Sequence, residues 1–157
     1  MTKPAQGGRS RLRKISPETI APMRFCACYN ARLAARRLTA FYDSRLEPLG
    51  LNIAQFGLMA QIAGAQDATL GAIAERAGLD PSTLSRNLQG LVRNGLAEIV
   101  VTEEDQRKRA VWLTERGEKL LLEAIPVWEQ AQAAVEATID LGALRSVTKA
   151  TKALATA

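Results

Sequence analysis

A chain of 157 residues, 47% hydrophobic but only 4% aromatic, is long enough for one domain with a real core and favours helix over sheet. Its net charge of +5 says little about a partner: Lys3, Arg9, Arg11, Arg13 and Lys14 lie at the start, leaving 16 of the 21 basic residues against 16 acidic ones. The lack of any histidine removes an imidazole base, a histidine triad and a His-rich metal site, and no apolar run is long enough to span a bilayer. Residues 1–16 read as a disordered basic tail, rich in Gly, Pro and charge. It is either a solvated extension or an arm that touches DNA. It lacks the apolar stretch of a secretory signal, and the closely spaced Cys26 and Cys28 cannot staple distant segments, so a reduced, cytoplasmic protein is expected.

Pro22 opens a long helix, roughly Met23 to Leu46, with Ala27, Ala31, Ala34, Leu38, Tyr42 and Leu46 on its main apolar face. Pro48 and Gly50 end it. A second helix runs from about Asn52 to Gly64 and carries Ile53, Phe56, Leu58, Met59 and Ile62. A third runs from Thr69, placed as its N-cap, to Ala77, with Gly78 just past its end. Asp80 caps the fourth, Pro81 takes its first position, and Asn94-Gly95 stops it. Two short strands follow, from Leu96 to Val101 and from Ala110 to Leu113, around the charged loop from Thr102 to Arg109. Thr114 caps a long helix reaching about Ile139, with a bend expected at Pro126. A final helix, Leu141 to Leu154, carries Leu144, Val147, Ala150 and Leu154 on one stripe.

Gly78-Leu79-Asp80 is a turn of the length that joins the helices of a helix-turn-helix. Ala74 is small where two such helices cross closely. Leu84, Leu88, Leu91 and Val92 form the expected buried stripe of the second helix. The opposite face presents Ser82, Thr83, Arg86, Gln89 and Arg93, with no acid among them. Such a face can donate to phosphates and reach base edges in a major groove. An ordinary helical hairpin would also show a solvated face, but here a strand, loop and strand follow at once. A hairpin with the cationic residues Arg107, Lys108 and Arg109 can lie along a neighbouring minor groove. Asp105 can pair with Arg107 there, although a solvated charge cluster would look much the same. The expected fold is therefore mainly α with a small β wing, a winged helix-turn-helix. Its order is four helices, two strands and two helices.

The segments PLGLNIAQF at 48–56, TLGAIAERAGLDPSTLSRNLQGLVRNGL at 69–96 and DQRKRAVWLTERG at 105–117 resemble the MarR family of bacterial regulators, whose Asp-x-Arg wing motif and following Leu-Thr-x-x-Gly both match. The resemblance covers the chain after the tail. It implies a homodimer in which the first and last helices interleave, with the helix 81–94 of each protomer in a major groove of double-stranded DNA and the loop 103–109 near a minor groove. It also implies a repressor released by a small phenolic acid, its thioester or an oxidant. The corresponding organisation is an N-terminal dimerisation helix at 17–47, a DNA-binding lobe at 48–116 and C-terminal dimerisation helices at 117–157. The Ala-rich, lightly charged C-terminal segment independently favours a partner chain, since such a helix is marginal alone. Gly90 inside the recognition helix costs about 1 kcal/mol against Ala and is expected to loosen its far end, where Arg93 sits.

In MarR proteins the effector commonly lodges between the first helix and the DNA-binding lobe. Asn30, Arg37 and Phe41 share one face of that helix with Cys26 and Leu33, and Arg36 sits beside it. Arg36 and Arg37 can hold a carboxylate or the phosphates of a CoA thioester, or else pair with acids of their own fold. Phe41 and Phe56 can cover an aromatic ring. Redox sensing through Cys26, with Tyr29 near, is an alternative that the resemblance suggests. Against it, Cys26 and Cys28 would stand about 200° apart on a helix, too far round for a local disulfide. A winged-helix adaptor that binds protein is a further alternative. No phosphate-binding Gly-rich loop appears, and no catalytic set, cofactor or metal is called for, so an enzyme is not expected.

Overall fold

The computed structural model describes residues 16–65, 68–101 and 109–156. It forms two compact units that divide between Leu38 and Thr39.

In the first unit Ser16 caps a one-turn helix, α1 (Pro17–Ile20), by accepting the Thr19 N–H at 3.3 Å. A 3₁₀ turn, Ala21–Phe25, follows. The backbone leaves helical geometry at Cys26 (φ −59°, ψ 117°), and only then does α2 (Ala27–Leu46) begin. The long first helix thus starts at Ala27 rather than at Met23. The Asn30 amide explains the junction: it donates to the carbonyls of Arg24 (2.8 Å) and Cys26 (3.0 Å), tying the turn to the first turn of α2. Ala27, Ala31 and Ala34 of the anticipated apolar face are exposed.

The second unit holds the core. The last part of α2 ends on Leu46, fully buried, and a 3₁₀ turn, Glu47–Leu49, follows. Asn52 opens α3 (Ile53–Ala63) with a reciprocal capping box, its side chain accepting the Gln55 N–H and the Gln55 side chain accepting its own. Asp43 of α2 accepts the Ile53 N–H at 2.8 Å, and Tyr42 donates to Gln132 at 2.6 Å. Helices α4 (Leu70–Ala77) and α5 (Pro81–Arg93) pack with α3, and strands β1 (Ala97–Val101) and β2 (Arg109–Leu113) pair antiparallel, Ala97 opposite Leu113 and Val101 opposite Arg109. The Val111 N–H also donates to the Ala68 carbonyl at 2.9 Å, so the chain before α4 joins the sheet edge.

Helix α6 (Glu115–Glu136) runs through Pro126 and ends short of Ile139. Helix α7 (Leu141–Ala150) stops at Ala150 and gives way to a 3₁₀ turn, Thr151–Thr156, so the last helix is shorter than its stripe suggested. The core gathers Leu46, Phe56, Met59, Ile73, Leu84, Leu88, Leu91, Val111 and Leu121. Each large apolar side chain so buried contributes about 1.5–3 kcal/mol of transfer free energy. The order and packing are those of a winged helix-turn-helix, mainly α with a two-stranded wing.

Candidate nucleic-acid interface

Helix α4 ends in a Schellman turn. The Leu79 N–H donates to the Ala74 carbonyl at 3.0 Å and the Gly78 N–H to that of Glu75 at 3.1 Å, with Gly78 at φ 62°. A side chain at Gly78 would be strained there, so glycine sets the angle at which α5 leaves the turn. Ala74 is buried at the crossing, as its size predicts. Helix α5 buries Leu84, Leu88 and Leu91 against α3 and β1. Val92, assigned to that stripe from the sequence, lies at its rim and is 38% exposed.

Burying this stripe turns the polar face outward. Ser82, Arg86, Gln89 and Arg93 are exposed and Thr83 is half-buried. The helix is continuous through Gly90 to Arg93, and the Asn94 N–H closes onto the Gly90 carbonyl at 3.2 Å, so the glycine does not interrupt it. Arg86 folds back along its own helix, its Nε on the Ser82 carbonyl at 3.4 Å and its Nη2 on the Ser82 hydroxyl at 3.3 Å. Both bonds are long and easily exchanged for a better acceptor.

An acid also belongs to this face. Asp80 Oδ1 accepts the N–H groups of Ser82 and Thr83, both at 3.0 Å, and the Ser82 hydroxyl at 2.6 Å. Its Oδ2 accepts the Thr83 hydroxyl at 2.7 Å. These bonds, the Ser82 and Thr83 hydroxyls first, hold the Asp80 carboxyl well below the usual carboxylate range. The sequence identified Asp80 as the cap. It did not reveal that the cap also takes up both hydroxyls, for which a residue two and a residue three places after an N-cap Asp are the only signal.

The wing is seated by its C-terminal side. Thr114 donates its hydroxyl to the Gly95 carbonyl (2.7 Å) and accepts the Gly117 N–H (3.1 Å). A Cβ on Gly117 would overlap the Leu96 carbonyl. The exit of α5 therefore lies directly on the start of α6, a contact the sequence signalled only through Leu-Thr-x-x-Gly. Arg109 is the first residue of β2 and is exposed. Arg107, Lys108 and the Asp105 pairing lie outside the described residues, as does nearly all of the basic N-terminal segment.

The effector candidates divide between the two units. In the first, Arg36 and Arg37 are exposed and form no ion pair among the described residues, while the Asn30 amide is committed to backbone carbonyls. In the second, Phe41 is half-buried, with Arg45 5.1 Å from its ring centroid. Phe56 is not available to cover a ligand: it is a core residue, stacked on Trp128 at 5.8 Å. An apolar cleft of about 270 Å³ between α4 and α5 carries no basic side chain in its lining, so it offers an anion no counter-charge. Cys26 and Cys28 are both exposed. Because Cys26 precedes the helix, the angular separation inferred for two cysteines on one helix does not apply. Among the described residues no cluster of three metal-ligating side chains occurs, and no helix is long and apolar enough to cross a membrane.

Residues 49–108 match the model of the MarR family. The chain is 34% identical to the M. tuberculosis transcriptional regulator MosR, solved in complex with DNA; the match covers 83% of this chain and 97% of that one, with a TM-score of 0.76. Transcriptional regulator HosA of Escherichia coli O157:H7 is 36% identical over 73 residues, 46% of this chain. The match thus spans only 54% of HosA's own length. The S. aureus MepR–DNA complex shares the fold, with a TM-score of 0.69 at 22% identity over 85% of this chain and 99% of that one.

Proposed function

We propose that this chain, which belongs to the MarR family of transcriptional regulators, binds double-stranded DNA as a homodimer and represses transcription from a pseudo-palindromic operator. One observation carries the reading: the outward face of α5, beside a helix-turn of the right length, gathers Ser82, Thr83, Arg86, Gln89 and Arg93 while its leucines anchor it to the core. Arg86 is the base-reading candidate, since its weak bonds along the helix leave the guanidinium free to turn to a guanine edge. Arg107, Lys108 and Arg109 act from the wing on phosphates and minor-groove shape. The DNA complex of MosR supports the same use of the fold. The lobe 48–116 is the DNA-binding part, and residues 17–47 and 117–157 dimerise, in a protein acting in the cytoplasm.

Gel-shift titrations of genomic fragments at several salt concentrations test this. A specific regulator retains a minority of fragments as salt rises, while weak contacts to the rest are lost. Equal, salt-insensitive indifference to all fragments would favour a protein-binding adaptor.

The effector is a small aromatic acid or its CoA thioester, held by Arg36 and Arg37. Support comes from two adjacent exposed guanidinium groups with no acid paired to them among the described residues. Thermal-shift screening of aromatic carboxylates and acyl-CoA compounds identifies it, since a ligand of the native state raises apparent stability. Arg36→Ala with Arg37→Ala is expected to abolish that response and leave DNA binding of the free protein intact. A double variant that responds like wild type puts the pocket elsewhere.

A redox reading is favoured by one observation, the exposure of Cys26 at a backbone position outside the helix. Mass spectrometry after mild peroxide treatment, with DNA affinity measured alongside, decides it. Unmodified cysteines and unchanged affinity would end that reading.

A further inference from the structure

We propose that the N-terminal end of α5 reads the exocyclic amino group of a cytosine or adenine in the major groove, with the hydroxyl oxygens of Ser82 and Thr83 acting as acceptors and Asp80 positioning them. The inference rests on the DNA-binding reading above and specifies what that helix end recognises.

A hydroxyl has one proton to donate. An ionised carboxylate can only accept, so both short contacts to Asp80 fix the direction of the bond: the Ser82 proton lies on Oδ1 and the Thr83 proton on Oδ2. The N–H groups of both residues are committed to Oδ1 as well. The donors that usually make the start of a recognition helix a phosphate site are therefore taken up. Using a hydroxyl against a phosphate would break a charge-assisted bond and set the phosphate beside a carboxylate, which like-charge repulsion opposes. What remains on the outward side is lone pairs, chiefly on the exposed Ser82 oxygen.

Among major-groove edges the hydrogen-bond donors are the N4 amino group of cytosine and the N6 amino group of adenine. Guanine O6 and N7 and thymine O4 are acceptors and would face lone pair to lone pair. One turn along, Arg86 supplies the opposite character, donors suited to guanine. Its Nη2 already touches the Ser82 hydroxyl, so the acceptor and donor parts of the face are contiguous. The matching half-site feature is an amino-bearing base beside a guanine.

The test begins with selection of sites by the full-length protein from duplexes with a randomised core. In the enriched site each cytosine is then replaced by 2-pyrimidinone and each adenine by purine, which lack the amino group. At one position per half-site the loss is expected to weaken wild-type binding roughly fivefold. The same replacement should have no effect in Ser82→Ala with Thr83→Val. Asp80→Asn still caps the helix, but its amide NH₂ donates to a hydroxyl and frees that proton. This variant is expected to accept thymine or guanine at that position, a change of base preference that a purely structural cap would not cause. Enriched sites indifferent to every amino group, or an equal loss in the hydroxyl-free variant, would overturn this inference alone. No enrichment at any salt concentration would overturn the DNA reading and this inference with it.

Discussion

Asp80 is fully exposed yet acidified by its bonds to Ser82 and Thr83. Because the carboxyl pKa is lowered by folding, the stabilisation it brings is present above the unfolded value, about 3.9, and is lost as pH falls through the folded one. A carboxyl carbon titration by NMR should find Asp80 still ionised where an ordinary exposed aspartate is half protonated, and Ser82→Ala with Thr83→Val should return it toward that value. An unshifted wild-type titration would mean the hydroxyl bonds do not form in solution. Gly117 makes the sharpest steric demand: its missing Cβ would meet the backbone carbonyl of Leu96, which cannot rotate away as a side chain would. Gly117→Ala is expected to destabilise the protein by about 3 kcal/mol, at the upper end of overpacking costs, as read from urea denaturation. A change within about 0.5 kcal/mol, the range of an ordinary surface substitution, would show that α6 can move off the wing.

Among the elements, α5 is the most instructive. Gly90 lies inside it, and a Cβ there would meet only the Gln55 side chain, at an ordinary 3.6 Å. Gly90→Ala should therefore raise stability by up to about 1 kcal/mol without loss of DNA affinity, and a loss of stability would mean that the α3–α5 contact is tighter than it looks. The starts of α3, α5 and α6 were legible in the sequence because capping is local: Asn52, Asp80 and Thr114 each bond to N–H groups two or three residues on. The start of α2 was not, since the apolar pattern runs on through Met23 and Phe25 while the break at Cys26 lies in one residue's ψ angle. Face assignments were legible only where one partner decides them. Leu84, Leu88 and Leu91 followed from helical period alone. The role of Phe56 depended on Trp128, far along the chain, and periodicity carries no information about which aromatic ring faces it.

For the whole molecule, α7 buries none of its residues, and Leu144, Val147 and, beyond it, Leu154 are exposed, as is Leu122 of α6. A ten-residue helix without a packed face is marginal in water, so the proposed homodimer gives it a reason to form. Light scattering on a sizing column should report a dimer for wild type, and Leu144→Asp with Val147→Asp should yield monomer or insoluble protein; a folded monomeric wild type that still binds DNA would refute the dimer. In the proposed homodimer, two protomers related by a twofold axis would present their α5 helices to half-sites about one helical turn, roughly 34–36 Å, apart. In the proposed complex α5 reads that DNA through Arg86. That role is tested most directly by measuring the affinity of wild type and Arg86→Ala for a selected operator and for random DNA across a salt series. Arg86→Ala should lose about 1–3 kcal/mol per half-site on the operator and much less on random DNA, flattening the preference between them. An unchanged ratio of the two affinities at every salt concentration would mean that Arg86 does not read the bases.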